Sequence, residues 1–78
     1  MMTLLEFNAL SLYDKANAVW HGTFLADRKE KGMVIQLYSL AGFYVEVFYD
    51  QRDNKIIDLR SFTSTQKLFP YLAQIKFI

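Results

Sequence analysis

The feature that most constrains this chain is a series of four β-rich segments separated by very short connections. The connections carry Gly or Asn, which supply the positive φ that tight hairpin turns need. Such connections join only antiparallel neighbours, so the pattern predicts a meander sheet with its strands in sequence order. The predicted strands are Thr23–Glu30, Met33–Leu40, Phe43–Tyr49 and Lys55–Phe62, and the connections are Lys31–Gly32, Ala41–Gly42 and Gln51–Asn54.

Helical signals precede the strands. Two capping signatures, Thr3–Glu6 and Ser11–Asp14, predict two short helices, because a hydroxyl at the N-cap accepts a hydrogen bond from a free backbone N–H. Gly22 is expected to end the second helix in a left-handed conformation. The expected apolar face of that helix comprises Leu12, Ala16, Val19 and Trp20.

A third helical signal follows the last strand. Thr63–Gln66 resembles a capping signature, and Pro70 interrupts the helix that it predicts. We therefore expect a kinked helix, or two short pieces, between residues 64 and 75. Its predicted apolar stripe is Leu68, Leu72 and Ile75. The whole chain, residues 1–78, is thus predicted to be a single α+β domain of order ααββββα, with a four-stranded antiparallel meander sheet.

Composition excludes several kinds of partner and site. Nine Lys and Arg residues balance eight Asp and Glu residues, so the chain has no strong field that would attract nucleic acid or anionic lipid. Cysteine is absent, which removes disulfides and thiolate metal sites. Because the apolar runs fall far short of the ~18 residues that a membrane span needs, we expect a cytoplasmic protein with no membrane partner.

Both faces of the predicted sheet are apolar. Hairpin lengths suggest that one face carries Phe24, Ala26, Ile35, Leu37, Tyr44, Phe48, Ile57 and Leu59. The other then carries Leu25, Val34, Tyr38, Leu40, Phe43, Val45, Val47, Tyr49, Ile56 and Phe62. A single β-bulge would exchange residues between these sets, but no register makes either face polar.

Two apolar faces and little helix favour a homodimer, because one face is then left for a partner. The predicted function is a non-enzymatic protein-interaction module that binds itself or another protein. The predicted interface anchors are Tyr38, Tyr44, Phe48 and Tyr49. The alternatives are a monomer whose helical ends divide between the faces, and a binder of nucleic acid or a small ligand on the aromatic face.

Catalytic groups are scarce. His21 is the only histidine, and its position at a helix end favours a structural role. Glu46 lies within the most apolar strand, and we expect it on a half-solvated face, where it forms a polar site with Arg60. If it faces a ligand instead, it could act as a base or hydrogen-bond acceptor in a very small enzyme. If the register places it inside, burial raises its pKa unless it is paired. No cofactor or metal ion is expected.

The segments Gly22–Ala26, Leu37–Tyr38, Gly42–Asp50 and Ile57–Ser64 resemble a class of short bacterial proteins with no assigned function. The resemblance spans nearly the whole chain. It implies a free-standing bacterial protein and transfers no catalytic residue.

Overall fold

The computed structural model describes residues 2–72 and 74, and its elements follow the predicted order. The chain forms α1 (Leu4–Asn8), α2 (Leu12–Trp20), β1 (Thr23–Glu30), β2 (Met33–Leu40), β3 (Phe43–Asp50), β4 (Lys55–Phe62) and a 3₁₀ helix (Thr65–Tyr71). The four strands form one antiparallel sheet of order β1-β2-β3-β4, so the predicted α+β meander is confirmed.

Residues in the left-handed region make the three turns. Lys31 and Gly32 have φ of 49° and 80°, which is the two-residue pattern that suits a right-twisted hairpin. Gly42 has φ of 88°, and Asn54 has φ of 54°. Each of the three predicted connections therefore contains a residue with positive φ. This explains why the strand boundaries could be predicted closely.

Two β-bulges overturn part of the predicted face assignment. One bulge lies between Phe24 and Ala26, and the other sits in β4 opposite the step from Phe48 to Tyr49. Each inserts one residue and reverses the alternation beyond it. As a result Phe24 pairs with Tyr38, Leu59 with Val47, and Phe62 with Tyr44. The predicted faces of Phe24, Leu25, Leu59 and Phe62 are therefore wrong.

Helices α1 and α2 begin at the predicted caps. The backbone N–H of Glu6 donates to Thr3 Oγ1 at 3.1 Å, and that of Thr3 donates to Glu6 Oε1 at 2.9 Å. Ser11 Oγ accepts from the N–H of Asp14 at 3.2 Å. Gly22, however, is not left-handed. A Cβ built on it would lie 2.8 Å from the carbonyl oxygen of Ser39, so the glycine is needed for the close approach of the chain to β2.

The C-terminal helix is a 3₁₀ helix, which changes the predicted apolar stripe. Its N-cap is Ser64 and not Thr63, with Ser64 Oγ accepting from the N–H of Gln66 at 3.3 Å. Three residues per turn place Leu68 and Tyr71 on one side, and both are buried. Leu72 is 44% exposed, contrary to the prediction from α-helical spacing. Pro70 lies within this single helix, and Ile75 lies outside the described residues.

The helical ends of the chain divide between the two faces of the sheet, as the monomer alternative expects. Helices α1 and α2 cover one face, which we call the α-helical face; the 3₁₀ helix covers the other, which we call the 3₁₀ face. The core on the α-helical face comprises Phe7, Val19, Phe43, Val45, Val47 and Leu59. The core on the 3₁₀ face comprises Ala26, Leu37, Phe62, Leu68 and Tyr71.

Gln74 extends the cover on the 3₁₀ face to the edge of the sheet. Its side-chain Oε1 accepts from the backbone N–H of Asp27 at 3.2 Å, and its Nε2 donates to the carbonyl oxygen of Asp27. The amide thus takes the place of a neighbouring strand at this point of β1, whose outer side would otherwise present unpaired backbone groups.

Candidate functional site

Glu46 lies at the centre of the 3₁₀ face and is 8% exposed. It occupies β3, where its cross-strand neighbours are Leu37 on one side and Arg60 on the other. Its Oε2 accepts a hydrogen bond of 2.6 Å from the hydroxyl of Tyr71, which the 3₁₀ helix places over the sheet. The expectation that Glu46 faces solvent is therefore wrong.

Arg28 completes a buried polar cluster with these two residues. Its Nη2 lies 3.4 Å from Glu46 Oε2, its Nη1 pairs with Glu30, and its guanidinium lies 5.5 Å from the centroid of the Tyr71 ring. Among residues 2–72 and 74, Arg28 Nε has no hydrogen-bond partner although it is buried. The cluster joins β1, β3 and the 3₁₀ helix through one carboxylate.

Two pKa values are shifted within this cluster. Burial, assisted by the hydrogen bond to Glu46, raises the pKa of Tyr71, and the nearby Arg28 opposes this only in part. Burial lowers the pKa of Arg28, but its hydrogen bonds, of which that to Glu30 is the strongest, outweigh burial and raise the pKa overall. Tyr71 is thus held as a protonated donor and Arg28 as a cation. Such groups suit a structural tie better than proton transfer at neutral pH.

Arg60 has other contacts than the one predicted. It lies directly opposite Glu46 in the register, but its Nε donates to Asp58 Oδ2 at 2.9 Å and its guanidinium lies 4.6 Å from the centroid of the Phe48 ring. Arg60 is exposed, whereas Arg28 reaches the carboxylate on the same face from β1, at the opposite edge of the sheet. The cation that pairs with Glu46 could not be identified from its neighbours in sequence.

The four predicted interface anchors lie on two faces. Tyr38 and Tyr49 belong to the α-helical face, while Tyr44 and Phe48 belong to the 3₁₀ face. Tyr44 stacks on Phe62 with ring centroids 5.5 Å apart, and Phe48 is 9% exposed beneath Arg60. The four residues therefore cannot form one surface.

An aromatic patch does form on the α-helical face, from Trp20, Phe24 and Tyr38. The rings of Trp20 and Phe24 each meet the Tyr38 ring edge to face at centroid distances of 5.6 Å. Trp20 and Phe24 are both 50% exposed. Helices α1 and α2 make their largest contacts with the sheet at β4, the opposite edge from β1. Trp20 and Phe24 stay half-exposed beside β1 and β2.

Sequence reasoning missed most of this patch. Trp20 was expected to pack with Leu12 and Val19, but only Val19 is buried; Leu12 is 50% exposed. Phe24 was assigned to the wrong face because of the bulge that follows it. One feature of the sequence does point to the patch: Trp20 and Phe24 are close together in the chain, so the end of α2 lies next to the start of β1.

His21 follows α2 as its C-cap residue. Its Nδ1 donates to the carbonyl oxygen of Asn17 at 2.9 Å, which supports the expected structural role at the helix end. Over residues 2–72 and 74, no cluster of three or more His, Cys, Asp or Glu side chains could hold a metal ion.

None of the described helices is long and apolar enough to cross a membrane. The resemblance to short bacterial proteins stays a prediction. Comparisons of the chain with protein-family models, with curated proteins and with solved structures gave no match.

Proposed function

We propose that this chain is a non-enzymatic interaction module that pairs with a second copy of itself through the aromatic patch. The observation that carries the proposal is the half-exposed pair Trp20 and Phe24, both packed edge to face on Tyr38. Trp and Tyr are the residues most enriched where binding energy concentrates in protein interfaces. Their mutual packing holds the rings in place, so little side-chain entropy is lost when a partner covers them.

Charges beside the patch suit a two-fold symmetric contact. Asp27 and Lys29 lie on the α-helical face of β1, opposite Gln36 and Val34, and both are exposed. In a symmetric dimer the same surface meets itself, so Asp27 of one copy can face Lys29 of the other, twice. This self-complementarity favours a second copy over a partner of uniform charge.

The size of the chain also favours self-association. A domain of 78 residues has a small core, and without cysteine it has no disulfide bond to stabilise it. Oligomerisation commonly adds stability to domains of this size. Glu46 gives less support to an enzyme, because its described contacts are with Tyr71 and Arg28 beneath the 3₁₀ helix. We expect the interface to bury more than ~1,000 Å² in total, with the patch near its centre.

The mass of the protein in solution tests this proposal. Light scattering at concentrations from about 1 to 100 μM is expected to give a dimer for the wild type, since a dissociation constant of ~1 μM corresponds to about −8 kcal/mol. The double variant Trp20→Ser with Phe24→Ser should be a folded monomer. The matched control is Leu5→Ser with Tyr13→Ser, which removes two side chains that are 80% and 78% exposed elsewhere on the helices. A monomeric wild type at ~100 μM, or a dimer that survives the patch variant, would overturn the proposal.

A further inference from the structure

A groove of about 640 Å³ opens at the end of the sheet where α2 meets β1 and β2. Its apolar lining comes from Met2, Ala18, Leu40 and Ala41. The volume falls within the range of small-molecule sites, which are mostly apolar with a few polar groups. The groove is separate from the Glu46 cluster and shares no lining residue with the aromatic patch.

Three polar residues also line the groove: His21, Thr23 and Ser39. Because a carbonyl oxygen can only accept, the bond from His21 Nδ1 to Asn17 places the ring proton on Nδ1. In the neutral ring, Nε2 is then an acceptor. His21 therefore offers a hydrogen-bond acceptor to this groove beside an apolar surface.

Gly22 brings these polar groups together. Its missing side chain lets the backbone after α2 approach β2 so closely that a Cβ would lie 2.8 Å from Ser39 O and 3.0 Å from Leu40 Cδ1. His21 and Thr23, on either side of Gly22, are thereby held next to Ser39. The arrangement is built by backbone packing and not by mobile surface side chains.

Among residues 2–72 and 74, no Lys, Arg, Asp or Glu lines the groove. The last turn of α2 also carries no basic residue. A charged ligand would lose hydration here without gaining a counter-ion, whereas a neutral one loses little. We propose that this groove binds a neutral amphipathic small molecule, with an apolar body against Ala18 and Leu40 and a hydroxyl or amide group that hydrogen-bonds to His21.

Titration of the isotope-labelled full chain with 2-phenylethanol, followed by amide chemical shifts, tests this inference. Saturable shifts are expected at Ala18, His21 and Ser39 when the probe is added to about 20 mM, roughly twentyfold above a 1 mM dissociation constant. Phenethylammonium and 3-phenylpropionate have similar apolar bodies and carry opposite charges, and both should bind at least about tenfold more weakly.

Variants separate the groove from other surfaces. His21→Phe keeps an aromatic ring but removes Nε2, and should weaken binding about fivefold. Ala18→Leu should fill the groove and abolish binding while the circular dichroism stays folded. Tyr13→Phe, on α2 but outside the groove, should leave binding unchanged. The inference is overturned if 2-phenylethanol gives no saturable shift, if either charged analogue binds more tightly, or if the shifts centre on Trp20 and Tyr38.

Discussion

The hydroxyl of Tyr71 lies 2.6 Å from Oε2 of Glu46, and this bond fastens the 3₁₀ helix to the middle strand of the sheet. Both residues are buried. Hydrogen bonds to a charged group are stronger than neutral ones, and a buried acceptor that loses its donor keeps the full cost of its desolvation. We therefore expect this hydrogen bond to stabilise the packing of the 3₁₀ helix on the sheet.

Tyr71→Phe should lower the free energy of unfolding by about 1.5–3 kcal/mol, because it removes only the hydroxyl and leaves the ring against Arg28. Urea denaturation measures this loss. The control is Tyr13→Phe, since Tyr13 is 78% exposed and should change stability by less than about 0.5 kcal/mol. Equal losses in the two variants would show that the bond to Glu46 contributes nothing.

Stability should also fall at alkaline pH through Tyr71. Its pKa in the folded chain is raised above the ordinary value of 10.0, chiefly by burial. Below about pH 10 the phenol is protonated in both states, so its contribution is fully present. As the pH rises further, the unfolded chain loses this proton first and unfolding becomes easier. From about pH 10 upward, the free energy of unfolding should decline more steeply for the wild type than for Tyr71→Phe, whereas below about pH 10 the two should change alike. If the free energies of unfolding of the wild type and of Tyr71→Phe change in parallel over that range, the raised pKa of Tyr71 is contradicted.

Gly22→Ala should destabilise the domain by about 1–3 kcal/mol, because the new Cβ would meet the Ser39 carbonyl oxygen at 2.8 Å and backbone must move. For a domain of this size each kcal/mol lowers the melting temperature by about 4–8 °C. Gly32→Asn is the matched comparison. Gly32 has φ of 80° and open space around it, so Asn should be tolerated with a smaller loss. A larger loss at Gly32 than at Gly22 would refute the packing argument.

Gln74→Ala should speed hydrogen exchange of the Asp27 amide, because the side chain of Gln74 accepts its proton at 3.2 Å. Local opening of this edge then no longer requires that bond to break. Gln66→Ala serves as the control, since within the described part of the chain Gln66 makes its hydrogen bond through the backbone N–H, at the cap of the 3₁₀ helix. Unchanged exchange at Asp27 would mean that Gln74 does not protect the edge.

The proposed dimer should respond to the signs of Asp27 and Lys29. Asp27→Lys and Lys29→Asp should each weaken dimerisation about two- to thirtyfold, because exposed pairs contribute about 0.2–1 kcal/mol and the symmetry doubles them. The double exchange should recover most of the affinity, and the differences should shrink at about 1 M salt. Sedimentation equilibrium measures all three variants. If the double exchange is as weak as the sum of the single ones, the two residues do not face each other.

Local chemistry made most of the secondary structure predictable. The caps at Thr3 and Ser11 and the left-handed residues Gly32 and Asn54 act within a few residues of themselves, so the sequence carries their effect directly. The same holds for the meander order, because connections this short leave no other pairing. His21 was likewise expected at a helix end, and its hydrogen bond to Asn17 lies within the same helix.

The sequence by itself thus determined the strands, the turns and the α+β class, while the tertiary structure decided which side each residue faces and what it contacts. The bulges beside Phe24 and in β4 are set by packing of the whole sheet, and each reverses the faces of residues beyond it. The partners of Glu46 come from Arg28 and Tyr71, which lie 18 and 25 residues away along the chain. Contacts over such distances depend on how the covering helices settle on the sheet, and no local pattern of residues encodes that choice.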